Sequence, residues 1–483
     1  MKDIKRNLTM LTDFYELTMG NGYFKSGLKD RIVYFDLFYR KNPDQGGYAI
    51  AAGLEQIVEY INDLHFDDDD IEFLRSKGLF DEEFLKYLRN FKFTGDMWAI
   101  PEGTVIFPGE PVITVRAPAI EAQFIETFML LTFNHQSLIA TKASRLVRSA
   151  KGRSISEFGS RRAHGPDAAI LGARAAYIGG VNSTACAISD EVYGVPAGGT
   201  MAHSWVQMFD SEYEAFKTYC EVYPNSATLL VDTFNVLKSG IPNAIKAFKE
   251  VLIPKGITKC AIRIDSGDVT YLTNKARKML DDAGLYDCKI VISNSLDEYL
   301  IRDMLLQGAK VDAFGVGERL ITAKSDPVFG AVYKLAAVEK DGEIIPKIKL
   351  SENPIKITTP HFKKVLRLYS NESAMAEADL ICLYDENIDT TSPLEIFDPE
   401  YTWKRRVMED YTANELTVPI YVNGKQVYEL PSLREIRDRC QASLNSIWPE
   451  VLRFENPHNY YVDLSEKLWT LKNNMVNNRR NGG

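Results

Sequence analysis

The sequence predicts an α/β protein. Its central part should form a parallel sheet, closed as a barrel or left open, with a β-rich lobe before it and a further lobe after it. Two observations carry this. From about 153 to 335, short apolar runs alternate with helical stretches, the rhythm of strand–helix–strand units. Residues 91–118, "FKFTGDMWAIPEGTVIFPGEPVITVRAP", set short β-branched runs between prolines and glycines, which suits short antiparallel strands. A chain of 483 residues exceeds one compact core. Three segments are expected: an N-terminal α+β domain over 1–150, an α/β barrel domain over 151–345, and a C-terminal domain over 346–483.

The elements follow in order. The opening "MKDIKRNLTMLTDFYELTMG" has no apolar run and no cleavage site, so no secretory signal is expected. "DDDD" at 67–70 reads as a helix start, because acidic groups complement a helix N-terminus. "IEAQFIETFMLLTFNHQSLIATKASRLVRSA" (120–150) carries apolar residues at helical spacing. Strands are expected at "SISEF" (154–158), "ATLLVDT" (227–233), "CAIRIDSGD" (260–268), "KIVISNSLD" (289–297) and "VDAFGVGERL" (311–320). Helices are expected between them, at 167–180, 239–253 and 269–284. After 345 comes the basic stretch "KIKLSENPIKITTPHFKKVLRL", then short strands and the helical "LPSLREIRDRCQASLNSIW" (430–448).

Composition removes several function classes. Net charge is −9 with no basic tail, against the cationic face that phosphodiester backbones require. No run is long and apolar enough to span a bilayer. The six cysteines are scattered and form no CxxC pair, so neither a zinc site nor a disulfide framework is expected, and a reducing cytoplasm suits the chain.

Polar residues gather where the central strands end, which is where functional loops of such sheets lie. "EFGSRRAHG" supplies Phe158, Arg161, Arg162 and His164; "VDTFN" supplies Asp232. "IRIDSGD" supplies Arg263, Asp265, Ser266 and Asp268; "ISNSLDE" supplies Ser293, Asn294 and Asp297. "FGVGERL" supplies Gly315, Gly317, Glu318 and Arg319. Arg263 and Asp265 are two apart, so on a strand they share a face. They read either as a structural ion pair in a turn, or as a fork for an anion beside an acceptor for sugar hydroxyls. Gly315 and Gly317 would let backbone N–H groups approach a phosphate, though they are half of a GxGxxG pattern. Phe158 is either a core phenylalanine beside two surface arginines or one face of a slot for a flat ring.

His203 ends the glycine-rich "VYGVPAGGTMAHSW". A lone histidine is either structural or functional as a base, ligand or nucleophile. No second histidine or cysteine sits at ligand spacing, which leaves metal binding the weakest of these. A nucleophilic imidazole needs a partner on its other nitrogen to fix the tautomer, and Asp232, at the end of the next strand, is the candidate.

Several stretches together resemble the nicotinate phosphoribosyltransferase family: "MLTDFYELTM", "SEFGSRRAHGPDAAILGARAAYIGGVNSTACA", "GVPAGGTMAHSWV", "RIDSGD", "GVGERL" and "VYKL". The resemblance covers nearly the whole chain. It implies an irregular parallel α/β barrel of the type II phosphoribosyltransferase kind. The implied activity forms nicotinate mononucleotide and pyrophosphate from nicotinate and phosphoribosyl pyrophosphate in NAD biosynthesis. Coupled ATP hydrolysis, Mg²⁺ and a homodimer with shared active sites are implied with it.

The resemblance also implies roles. His203 matches the family's phosphorylated histidine and Asp232 would orient it. Phe158 and Tyr15 would sandwich the pyridine, with Tyr15 reaching over from the second subunit. Arg263 would lie near the ring's carboxylate and Asp265 would hold ribose hydroxyls. Arg161, Gly315 and Gly317 would handle phosphates, with Asn294 and Glu318 beside the substrate. Ser183 falls where the nicotinamide-using relatives carry an aspartate, which would repel a carboxylate. One departure is visible: His361 stands where the family's basic motif has glycine. Lys349, Lys356, Lys363 and Arg367 in that stretch read either as phosphate contacts or as a solvated basic strand.

The alternatives are a nicotinamide- or quinolinate-using enzyme of the same fold, a silent binding protein for phosphorylated sugars or pyridines, and a barrel aldolase. The aldolase would need a Schiff-base lysine at a strand end, and none of the five expected strands offers one.

Overall fold

The computed structural model describes residues 6–482, with side chains to 478. The chain divides into two compact units. One is Ile139–Pro327; the other comprises the described residues on either side of it.

The first unit is built on six parallel strands: β1 (Ser154–Glu157), β2 (Ser183–Thr184), β3 (Thr228–Leu230), β4 (Ala261–Ile264), β5 (Lys289–Asn294) and β6 (Ala313–Val316). Their order is β2-β1-β6-β5-β4-β3. Each strand pairs in parallel with its sequence neighbour, and the first pairs with the last. That is the neighbour order of a barrel with one seam, between β2 and β3. The glycine-rich segment lies along β2 at that seam: Thr184 N–H donates to Pro196 O at 2.9 Å and Gly198 N–H to Thr184 O at 2.8 Å.

Burial alternates along Ser154–Glu157 and Ala261–Ile264. Ile155, Ile262, Ile264, Ile290, Ile292 and Phe314 are all fully buried. Ser156, Arg263, Val291, Ser293 and Gly315 fall on the other parity, and strand register sets them side by side. The helices between strands start on designed caps. The Asp268 carboxylate accepts from Tyr271 N–H at 2.8 Å and opens Val269–Asp282. Asp297 does the same for Glu298–Leu306. The helix expected over 239–253 is a composite: π turns at Val236–Gly240 and Phe248–Leu252 bracket an α segment, Ile241–Ala247. Gly240 explains the irregularity, since a Cβ there would lie 1.9 Å from the Val231 carbonyl oxygen. The helix start packs directly on the chain just before Asp232.

The second unit shows why three sequence segments become two bodies. Strand Val332–Lys340 pairs antiparallel with Ile32–Phe38, and Val418–Val422 pairs with Asp96–Ala99. The chain after 327 therefore returns to the N-terminal sheet, and the expected boundaries at 150 and 345 move to 138 and 327. This seven-stranded sheet is joined by a four-stranded one that contains Lys363–Ser370 and Ala376–Leu383. Asp67 caps Asp68–Ser76 in a reciprocal capping box with Asp70, as the acidic run predicts. His361 has φ +77°, the left-handed backbone that explains the family's glycine at this position.

Two residues of the basic stretch are neither solvated nor open to phosphate. Lys363 is buried and donates to Asp36 at 2.6 Å. Arg367 is buried and holds Asp379 with two bonds, 2.8 and 2.6 Å. A charge this desolvated needs a partner inside the fold. Lys349 and Lys356 remain exposed.

Candidate functional site

The strand ends of the first unit collect the expected polar groups into connected sets. Oδ2 of Asp232 accepts from Asp265 N–H at 3.0 Å and from the Ser266 hydroxyl at 2.6 Å. Asp265 in turn accepts from Ser293 Oγ at 2.5 Å. One chain of hydrogen bonds thus crosses β3, β4 and β5. Oδ1 of Asp232 is buried and unpartnered.

Arg263 shares a face with Asp265, as their spacing predicts. Its Nη1 donates to the Thr200 hydroxyl, while Nε is buried with no acceptor. Burial lowers its pKa, and the nearby Asp265 and Asp232 carboxylates oppose that effect. A partly desolvated guanidinium with an unused N–H is suited to a carboxylate or phosphate ligand. Arg161 and Arg162 lie on the exposed turn Ser160–Arg162, and the Arg161 charge acts on Arg263.

His203 begins the helical turn His203–Gln207 and is half-buried. Its Nδ1 lies 3.1 Å from Thr233 Oγ1. The orienting partner is therefore the residue after Asp232, not Asp232, whose carboxylate holds the 265–266 turn instead. Nε2 has no hydrogen-bond partner among the described residues.

Phe158 follows β1 directly, and its N–H donates to Val316 O at 2.7 Å. Its ring lies over Gly315, where a Cβ would come within 2.4 Å of two ring carbons. Glycine at 315 thus gives the ring its place. Gly317 begins the turn Glu318–Ile321. Glu318 pairs with Lys324 at 2.8 Å, which holds its carboxyl below the usual range. Arg319 pairs with Asp297. Asn294 ends β5 with φ +148°, and its side-chain oxygen accepts from Ser295 N–H.

Ser183 sits on β2 opposite Ser156 of β1, with the two hydroxyl oxygens 2.8 Å apart. Tyr15 belongs to the other unit, on helix Phe14–Lys25. It is 44 % exposed, and the Glu126 carboxyl accepts from its hydroxyl. A cleft of about 680 Å³ lies at the opposite ends of β3, β4 and β5, along Thr228, Ala261 and Lys289. Neither Asp232, Asp265 nor Arg263 lines it.

Sequence reasoning passed over Thr200, Thr233, Ser156 and Glu157. Ser156 was legible by parity, two before Phe158. Glu157 stood inside a quoted motif but looked like an ordinary strand residue. Thr200 and Thr233 act through neighbours far apart in sequence, which no local pattern marks.

The described residues contain no cluster of three or more His, Cys, Asp or Glu that could hold a metal by itself. No helix is long and apolar enough to cross a membrane.

Comparison with known proteins agrees with this geometry along the chain. Residues 10–134 match the nicotinate phosphoribosyltransferase N-terminal domain, 153–372 the nicotinate phosphoribosyltransferase family, and 362–472 its C-terminal domain. The chain is 41 % identical to the nicotinate phosphoribosyltransferase of Bacillus subtilis over 466 residues, covering 96 % of this chain and 94 % of that one. The crystal structure of human nicotinic acid phosphoribosyltransferase superposes with a TM-score of 0.85 at 28 % identity, covering 96 % of this chain and 99 % of that one. A nicotinate-nucleotide pyrophosphorylase from Pyrococcus furiosus shares the fold, with a TM-score of 0.68 at 23 % identity over 92 % of this chain and 99 % of that one. With its strand-end site in place and matches running along its length, the chain belongs to the nicotinate phosphoribosyltransferase family.

Proposed function

We propose that the chain joins nicotinate to phosphoribosyl pyrophosphate, giving nicotinate mononucleotide and pyrophosphate for NAD biosynthesis, with ATP hydrolysis coupled through a phosphohistidine at 203. The observation that carries this is the partly desolvated Arg263, with its unused Nε, beside the Asp232–Asp265–Ser293 chain. It presents an anion fork next to hydroxyl acceptors, which a carboxylated ring and a ribose both require.

The pyridine nitrogen attacks the anomeric carbon as the bond to pyrophosphate breaks. Positive charge grows on the ribose and negative charge on the leaving group. Fixed carboxylates and cations stabilise both without reorganising. The ring nitrogen carries no proton, so the attack needs no general base. His203 is thereby free for phosphoryl transfer. In the tautomer whose Nδ1–H donates to Thr233 Oγ1, 3.1 Å away, the lone pair is on Nε2. Nε2 attacks the γ-phosphorus of ATP, the bond to the β-phosphate oxygen breaks, and ADP leaves.

Phe158 stacks on the pyridine, with Tyr15 of a second copy on its other face in a homodimer. Arg161 and Gly317 face phosphates, with Asn294 and Glu318 bordering them, while Gly315, expected to do the same, lies under the Phe158 ring. Mg²⁺ would be held by one or two carboxylates together with the substrate's phosphates. Asp232, with its unpartnered Oδ1, and Asp265 fit that donor set, and the ion would supply charge neutralisation for the diphosphate. Ser183 and Ser156 offer neutral hydroxyls at the position where an aspartate would repel nicotinate. Six free cysteines suit work in a reducing cytoplasm.

Incubation with γ-³²P-ATP tests the relay. The wild type should take up acid-labile label and His203→Ala none. Label that survives the substitution removes the assignment.

A further inference from the structure

Glu157 ends β1 and is fully buried. Both carboxylate oxygens are used. One accepts from the Gly159 N–H, and the other accepts from the Thr184 hydroxyl at 2.7 Å. Its backbone oxygen accepts from Ala185 N–H at 2.8 Å. Thr184 Oγ1 itself accepts from Cys186 N–H at 3.0 Å, so its own proton is committed to Glu157. No ion pair to Glu157 occurs among the described residues. One side chain therefore ties the end of β1 to the turn at 158–159 and to β2.

The space around it is closed. A Cβ at Gly159 would lie 2.7 Å from the Glu157 carboxylate and 2.7 Å from Ile321 Cβ. Phe158 stands between the two tied points, with its ring on Gly315. Fixing Glu157 thus fixes the backbone on both sides of Phe158. It also fixes the spacing of β1 and β2, where Ser156 and Ser183 face each other.

We propose that Glu157 is a positioning residue: through Gly159 and Thr184 it holds the Phe158 ring on Gly315 and sets the slot for the flat ring of the substrate. This rests on reading that slot as the pyridine site. The role belongs to binding of the ring, not to the departure of pyrophosphate. Burial pushes the Glu157 carboxyl above the usual range, so a neutral carboxamide of the same shape is a close substitute. Its oxygen still accepts from Gly159 N–H, while its NH2 group reverses the bond to Thr184, whose hydroxyl proton loses this acceptor.

The test compares Glu157→Ala, Glu157→Gln and Thr184→Val with the wild type. Nicotinate is varied at saturating phosphoribosyl pyrophosphate, and the reverse. Glu157→Ala should raise the nicotinate KM about tenfold or more, as loss of two buried hydrogen bonds implies. Its kcat and its KM for phosphoribosyl pyrophosphate should stay within about threefold. Glu157→Gln, which keeps the shape and the bond from Gly159 N–H, should recover most of the rise in nicotinate KM, and Thr184→Val, which keeps the volume but loses both the bond to Glu157 and the one from Cys186 N–H, should fall between Glu157→Ala and the wild type. A crystal structure of Glu157→Ala, or of Thr184→Val should the alanine variant not fold, should show the Phe158 ring displaced from Gly315. An unchanged nicotinate KM, equal rises in both KM values, or an unmoved ring overturns the proposal. A wild type that makes no mononucleotide tells against the proposed function instead, and the ring position then decides the role of Glu157 without any substrate.

Discussion

At the scale of single residues, the site depends on which polar atoms are already used. Asp232 was legible as a strand-end carboxylate, yet its work is local: one oxygen pins the 265–266 turn and the other is unpartnered. The imidazole of His203 leans on Thr233. A sequence places Asp232 and Thr233 next to each other and cannot say which of them reaches across. The nearness of Arg263 to Asp265 was legible from strand parity, which left open whether the pair is structural or binds an anion. The half-burial of Arg263 and its bond to Thr200 were not, because Thr200 comes from the distant glycine-rich segment. Arg263→Ala should weaken nicotinate by roughly 2–3 kcal/mol, a buried charge-assisted bond, seen as a KM increase of about 30- to 150-fold in steady-state kinetics. An unchanged KM would take Arg263 out of the carboxylate site.

At the scale of elements, the strands of the first unit were legible because period-two burial and terminal polar clusters coincide. The short β2 was not, since "ST" within "GVNSTA" carries no apolar run. The composite helix after Asp232 was read as one smooth helix, because the close packing of Gly240 on Val231 leaves no trace in periodicity. The N-terminal helix Phe14–Lys25 carries a titrating group. Glu16 is buried, and burial pushes its carboxyl up to about 7, against hydrogen bonds from Thr12 and Thr127 that favour the charged form. The Asp13 and Glu126 charges add to the rise.

The folded state therefore binds this proton more tightly than the unfolded chain. The stabilisation is fully present below the ordinary value of 4.5 and is lost as pH rises through about 7. Glu16→Gln cannot titrate. The wild-type Tm relative to this variant should fall steadily from pH 5 to pH 8 in thermal melts at constant ionic strength. A rise over that range would contradict the burial argument.

At the scale of the whole molecule, three sequence segments fold as two bodies because strand pairing ignores chain order. Val332–Lys340 returns to Ile32–Phe38, and no composition change near 327 announces it. The same return explains the basic stretch. Lys363 and Arg367 look like phosphate ligands in one dimension and are structural cations in three, paired with Asp36 and Asp379. Burial and the Asp379 charge push the carboxyl of Glu110, beside Arg367 and Asp379, well above the usual range. What the sequence carried best was the gathering of polar groups at the strand ends, since they sit in contiguous motifs. What it carried least was long-range pairing. The account's central claim is that these strand ends join a carboxylated pyridine to an activated ribose. Chromatographic measurement of mononucleotide formation from phosphoribosyl pyrophosphate, with nicotinate, nicotinamide or quinolinate and with or without ATP, tests it most directly. The account predicts product from nicotinate at a kcat/KM at least about 100-fold above the other two, increased by ATP. No product from nicotinate, or equal use of nicotinamide or quinolinate, would contradict it.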